Sequence, residues 1–139
     1  HHDQGIVNGV CKGSIKILPP KFNTMPQFYL HKAGQIKRLY DIDTYYTQAE
    51  LDEAVRNPAI IHYINKFYNR PWFKDCSHPM RNLYVSYLEK TPFEIEFEDA
   101  KQTKKVRIRK FIYKHFPFFV YEFTERIFDI RRKRAAKRV

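Results

Sequence analysis

Residues 59–80, AIIHYINKFYNRPWFKDCSHPM, limit the possible folds more than any other stretch of this chain. Ala59, Ile60 and Ile61 make a short apolar run after Pro58, the pattern of a buried strand, and His62 stands where the run ends. A loop of asparagines and aromatic rings follows and closes on Pro71-Trp72. Strands that open into such loops are where α/β proteins place ligand chemistry. His62 reads two ways there: a strand-end histidine satisfied by its neighbours, or a ligand for a divalent metal. Lys66 and Arg70, in the loop, are cations suited to phosphate oxygens.

The flanking sequence yields to the same rules. Asp3 is a helix N-cap candidate, Ile6, Val7 and Val10 give that helix an apolar stripe, and Gly13 suits its stop. Ser14 to Leu18 alternates as a strand and halts at Pro19-Pro20; residues 21–23 continue as a second extended piece. Residues 24–46 are irregular and tyrosine-rich. Thr47 and Glu50 form a capping box for a helix reaching about Arg56. Pro79 opens a helix through Leu83, Tyr84, Tyr87 and Leu88. After Pro117, Phe119, Val120, Phe123, Ile127 and Ile130 recur at helical spacing. No apolar run approaches the ~20 residues of a membrane-spanning helix. Cys11 and Cys76 form no CxxC pair and no disulfide framework, which favours a reduced, cytosolic setting. Cys76, His78 and His62 lack the ligand spacing of structural zinc.

Charge divides the chain. Residues 1–100 carry 12 Lys/Arg and 12 Asp/Glu, whereas residues 101–139 carry 14 and 3, so the whole net charge of +11 sits in the last segment. A neutral body with a basic end points to a polyanionic partner for that end: membrane, nucleic acid or anionic glycan.

Three pieces in order carry a family resemblance: Asp3-Gln4 before an apolar helix, the stretch SIKILPPKFN running to Phe22-Asn23, and His62 followed by Pro71-Trp72. Together they resemble the retaining glycosyltransferases of family 8, which include bacterial lipopolysaccharide galactosyl- and glucosyltransferases. The resemblance covers roughly residues 3–90. It implies an α/β fold: the C-terminal part of a GT-A, Rossmann-like glycosyltransferase domain at residues 1–92, with a basic, aromatic helical tail at residues 93–139. It also implies that the upstream half, with the nucleotide pocket and the metal aspartates, lies outside this chain, and that these 139 residues alone are inactive.

The resemblance assigns roles residue by residue. His62 matches a histidine that holds a divalent metal, most often Mn2+ with Mg2+ as an alternative. The metal bridges the diphosphate of UDP-glucose or UDP-galactose. Arg70 matches the lysine that precedes Pro-Trp and contacts the diphosphate, with Asn65 at the family's glycine position and Lys66 as a second phosphate cation. Here the loop is about two residues longer than the common spacing. Asp3 matches an aspartate on the sugar hydroxyls, and Gln4 the glutamine near the anomeric carbon, where an amide stabilises positive charge better than it attacks. Gly5 stands where a further acidic residue is usual. Asp41-Ile42-Asp43 is an Asp-x-Asp, but it follows Asp-Gln in an irregular stretch and reads as turn chemistry.

The expected activity is hexose transfer, with retention, to a lipopolysaccharide or capsule-type glycan or glycolipid. The enzyme is expected in the cytoplasm, peripheral at the inner face of the membrane. Docking there is expected to use Arg131, Arg132, Lys133 and Arg134 for anionic lipid and Phe119 and Phe123 for the interface. The bland alternative is that the aromatic stripe packs on the domain. A non-catalytic module binding nucleic acid or an anionic membrane is the competing function, although no recognised nucleic-acid motif is present.

Overall fold

The computed structural model describes residues 3–64, 67–94, 96–100 and 102–136. Among these residues there are seven α-helices: α1 Asp3–Val10, α2 Pro26–Leu30, α3 Ala33–Tyr40, α4 Gln48–Arg56, α5 Arg81–Leu88, α6 Lys104–His115 and α7 Phe118–Ala136. A 3-10 turn, Pro20–Asn23, precedes α2.

The clearest local signal forms as the sequence dictates. The Thr47 hydroxyl accepts from the Glu50 N–H, and the Glu50 carboxylate accepts from the Thr47 N–H at 2.7 Å, closing the capping box of α4. Those bonds hold the Glu50 carboxyl below its ordinary range. Leu51 and Ala54 on the inner face of α4 are buried with Ile36 of α3 and Phe28 of α2. Met25, Tyr45, Tyr46 and Val55 close over this core. Gly13, at φ 88°, ends the first segment as expected.

The expected sheet is not seen among the described residues. Residues 14–18 form no strand, and Ile15, Ile17 and Leu18 are exposed. Residues 21–23, expected to be extended, coil into the 3-10 turn. Residues 59–64 make a single parallel bridge, Ile61 to Thr24, and Ile60 is 56% exposed. The reason is physical: a strand is stable only as part of a sheet, and alternation specifies a face without supplying a neighbour. Residues 24–46, irregular in the sequence reading, contain α2 and α3, because Pro26 suits a first turn and Ile36 anchors the second helix in the core.

The tail folds back. The Thr103 hydroxyl caps α6 by accepting from the Val106 N–H. The helices α6 and α7 pack on each other and are clamped by Arg109 and Glu125 through two N–H···O bonds. The Tyr113 hydroxyl donates to the Leu30 carbonyl, and Arg38 of α3 pairs with Glu122 of α7 at 3.3 Å. Val106 and Tyr121 are buried.

Candidate functional site

The site begins at a short backbone zipper. The N–H groups of Ala59 and Ile60 donate to the Lys21 carbonyl at 2.9 and 3.0 Å. The Thr24 N–H donates to the Ile60 carbonyl at 2.8 Å, and the His62 N–H donates to the Thr24 carbonyl at 3.0 Å. Thr24 has no exposed surface, and its hydroxyl bonds the Ala54 carbonyl of α4 at 3.2 Å. The zipper is therefore bolted to the core, and it fixes where His62 emerges.

The His62 ring is exposed, and its Nδ1 meets Asn23 Oδ1 at 2.9 Å. With the amide oxygen as acceptor, Nδ1 carries the proton and Nε2 presents its lone pair. This is how a metal-binding histidine is usually oriented, by a hydrogen-bond partner on the opposite ring nitrogen. Asn23 lies 39 residues upstream, and the sequence reading did not assign it a role at His62. Its place in the Phe22-Asn23 piece of the resemblance was the signal available.

Beyond His62 the loop is closed by its own backbone. The Ser77 N–H donates to the Tyr68 carbonyl at 2.8 Å, and Asn69, left-handed at φ 65°, donates its amide to Asp75 at 2.6 Å. Arg70 is exposed, with its guanidinium 5.3 Å from the Trp72 ring centroid. That stacking orients the cation while leaving N–H groups at its edge for an anion. Trp72 itself packs against Phe73 and Tyr84. Among the described residues no hydrogen bond, ion pair or ring contact joins Arg70 to His62.

Asn65 and Lys66 lie outside the described residues. Asp3 and Gln4 open α1, with their side chains outside the description, as are those of Arg131, Arg132, Lys133 and Arg134 at the end of α7. Asp41 is the left-handed C-cap of α3 at φ 55°, so Asp41-Ile42-Asp43 does end a helix as turn chemistry. No group of three metal-ligating side chains exists among the described residues. The described residues alone do not make a metal centre.

The sequence profile of glycosyl transferase family 8 matches residues 1–76, more than half of the chain, and that interval holds the zipper, His62, Arg70 and Trp72. The chain belongs to glycosyl transferase family 8. Glycosyl transfer is the chemistry of that family, and its fold is GT-A. No curated protein and no solved structure matches the chain. In this family 8 chain no helix among the described residues is long and apolar enough to cross a membrane.

Proposed function

We propose that this chain supplies the diphosphate- and sugar-facing part of a retaining hexosyltransferase, which moves glucose or galactose from a UDP-sugar to a glycan or glycolipid acceptor. The observation that carries the reading is His62, exposed at the end of the zipper, with Asn23 on Nδ1 and the Nε2 lone pair outward. His62 is one ligand of a divalent cation, Mn2+ or Mg2+, whose remaining protein ligands are anionic groups outside the described residues. Such an ion would neutralise charge on the departing diphosphate. Arg70, held by Trp72, adds a guanidinium to the same diphosphate, and Lys66 is the second cation of that loop. Asp3 and Gln4, at the start of α1, face the donor sugar. The exposed apolar side of α1, with Val10 at 80% exposure, is the surface that a nucleotide-binding half would cover.

The tail reading rests on a separate observation. Phe119 and Phe123 on α7 are 67% and 64% exposed although Tyr121 between them is buried. One side of α7 holds the body, and the other offers rings beside basic residues to an anionic membrane at the inner face.

The test is transfer by the intact enzyme from UDP-glucose and UDP-galactose, with and without manganese. His62→Ala should abolish manganese-dependent transfer while the melting temperature holds, because the ring is exposed and contributes little packing. Unchanged manganese dependence in that variant removes His62 from the site.

A further inference from the structure

Residues 77–81 hold both ends of the loop that His62 opens. Ser77 donates from its backbone N–H and its hydroxyl to the Tyr68 carbonyl, at 2.8 and 3.4 Å. Arg81, the first residue of α5, donates from Nε to the Pro71 carbonyl at 3.4 Å and from Nη2 to the Phe73 carbonyl at 3.3 Å. Arg70 thus lies between backbone carbonyls that this segment holds. The near end is tied to the same place: Tyr63 follows His62 directly, and its hydroxyl donates to the Met80 carbonyl at 2.7 Å. His78 sits among these ties, with its ring only 4% exposed. The ring meets Tyr63 at 4.9 Å, Tyr29 of α2 at 5.0 Å and Tyr68 at 5.2 Å between centroids, with interplanar angles of 64°, 69° and 72°. Its Nδ1 accepts from the Met80 N–H at 3.1 Å. His78, Met80 and Tyr63 therefore close a circuit of contacts, and Tyr29 joins it to the helix that carries Phe28 into the core.

We infer that His78 is a positioning residue for this loop: packed against both Tyr63 and Tyr68, it fixes the span between the His62 ring and the Arg70 guanidinium. The inference rests on the proposed diphosphate role of those two residues and deepens it. Tyr63 is one residue past His62, and Tyr68 is two residues before Arg70. Among the described residues no contact joins His62 to Arg70, so their spacing is set by what both ends rest on. Both rest on the His78 ring and its neighbours. Close-packed interiors pass small displacements on rather than absorb them. A misplacement of about 1 Å caused by a residue far from the chemistry can lower a rate about a hundredfold. One diphosphate can meet a metal on His62 and the guanidinium of Arg70 only at one spacing.

Calorimetric titration of the intact enzyme with UDP, manganese present, tests this as a double-mutant cycle. His78→Asn keeps an acceptor for the Met80 N–H and removes the ring from among the tyrosines. It should weaken UDP binding about tenfold when Arg70 is present, and less than about twofold in an Arg70→Ala background. Spacing that acts through the guanidinium has no effect once the guanidinium is gone. A merely less stable enzyme would bind UDP at lower stoichiometry with unchanged affinity. Unchanged affinity in His78→Asn, or the same loss with and without Arg70, overturns the inference. If His78→Asn yields no folded enzyme, Tyr63→Phe decides, since it removes only the hydroxyl on Met80. It should weaken UDP binding about threefold, again only while Arg70 is present, and wild-type affinity there overturns the inference. The two readings fail differently. Wild-type enzyme that takes up no UDP with manganese, or Arg70→Ala that binds it as wild type, loses the diphosphate reading and the role of His78 with it. Enzyme that binds UDP through Arg70 but is indifferent to His78→Asn loses the role of His78 alone.

Discussion

Three histidines meet three environments, and each environment sets its chemistry. His62 stands in solvent with Asn23 on one nitrogen. His31 is buried against Tyr113, Phe118 and Tyr121. His78 is only 4% exposed, accepts at Nδ1 from the Met80 N–H at 3.1 Å, and is ringed edge-on by Tyr29, Tyr63 and Tyr68 at 4.9–5.2 Å. Its Nε2 has no hydrogen-bond partner. Burial pushes the pKa of both His31 and His78 down to about 4. The sign follows from linkage: between the unfolded value near 6.5 and the folded value, only the unfolded chain holds the proton. Their contribution is therefore complete above about pH 6.5 and is lost as pH falls towards 4. The unfolding free energy from urea titrations should fall between pH 7.5 and 4.5 by more than carboxylate protonation alone gives, on the order of 1 to 3 kcal/mol per histidine. His78→Gln should be less stable at pH 7.5 but show a shallower acid slope. An unchanged slope would mean that His78 does not titrate with unfolding.

Among the elements, α4 and the α6–α7 pair are built on different principles. The helix α4 is local: a capping box starts it and Leu51 and Ala54 anchor it. The pair depends on contacts made across the molecule. The Tyr113 hydroxyl reaches Leu30, which is 83 residues away in sequence, and Arg38 reaches Glu122. Tyr113 is half-buried, and burial raises its pKa. Tyr113→Phe should cost about 1 kcal/mol in urea unfolding and speed hydrogen exchange along α6 while sparing α4. Exchange rising equally in both helices would show that the two halves unfold as one unit.

At the scale of the molecule, the chain has a bolted core around α2–α4 and a tail that is fastened on one side only. Ile108, Phe111, Phe116, Phe119 and Phe123 remain exposed on α6, α7 and their junction. Those side chains share the segment that holds the +11 excess. Since Val106 and Tyr121 pack inward, truncating the tail would uncover the body, and point variants are the cleaner probe. Phe119→Ser with Phe123→Ser should leave the melting temperature within about a degree, since both rings lie on the surface. The pair should sharply reduce co-sedimentation with anionic vesicles, which in the native chain should weaken as salt rises. Equal sedimentation by the variant would assign binding to the basic residues alone.

The sequence by itself determined the pieces whose cause lies within a few residues. The Thr47–Glu50 box, the positive φ at Gly13, the helix after Pro117 and the left-handed cap at Asp41 each have a cause within a few residues of the backbone they shape. The order of Asp3-Gln4, Phe22-Asn23 and His62-to-Trp72 was also legible as a family pattern, because chemistry constrains residue type at spaced positions. Tertiary structure decided the rest. The alternation at residues 14–18 could not say whether a neighbouring strand was present, and the apolar run at residues 59–61 became one bridge rather than a ladder. Asn23 on His62, Tyr113 on Leu30 and Arg109 beside His31 in one cleft join residues 39, 83 and 78 positions apart. No local rule encodes such separations; they arise only when burying Ile36, Leu51, Val106 and Tyr121 brings distant segments to the same surface.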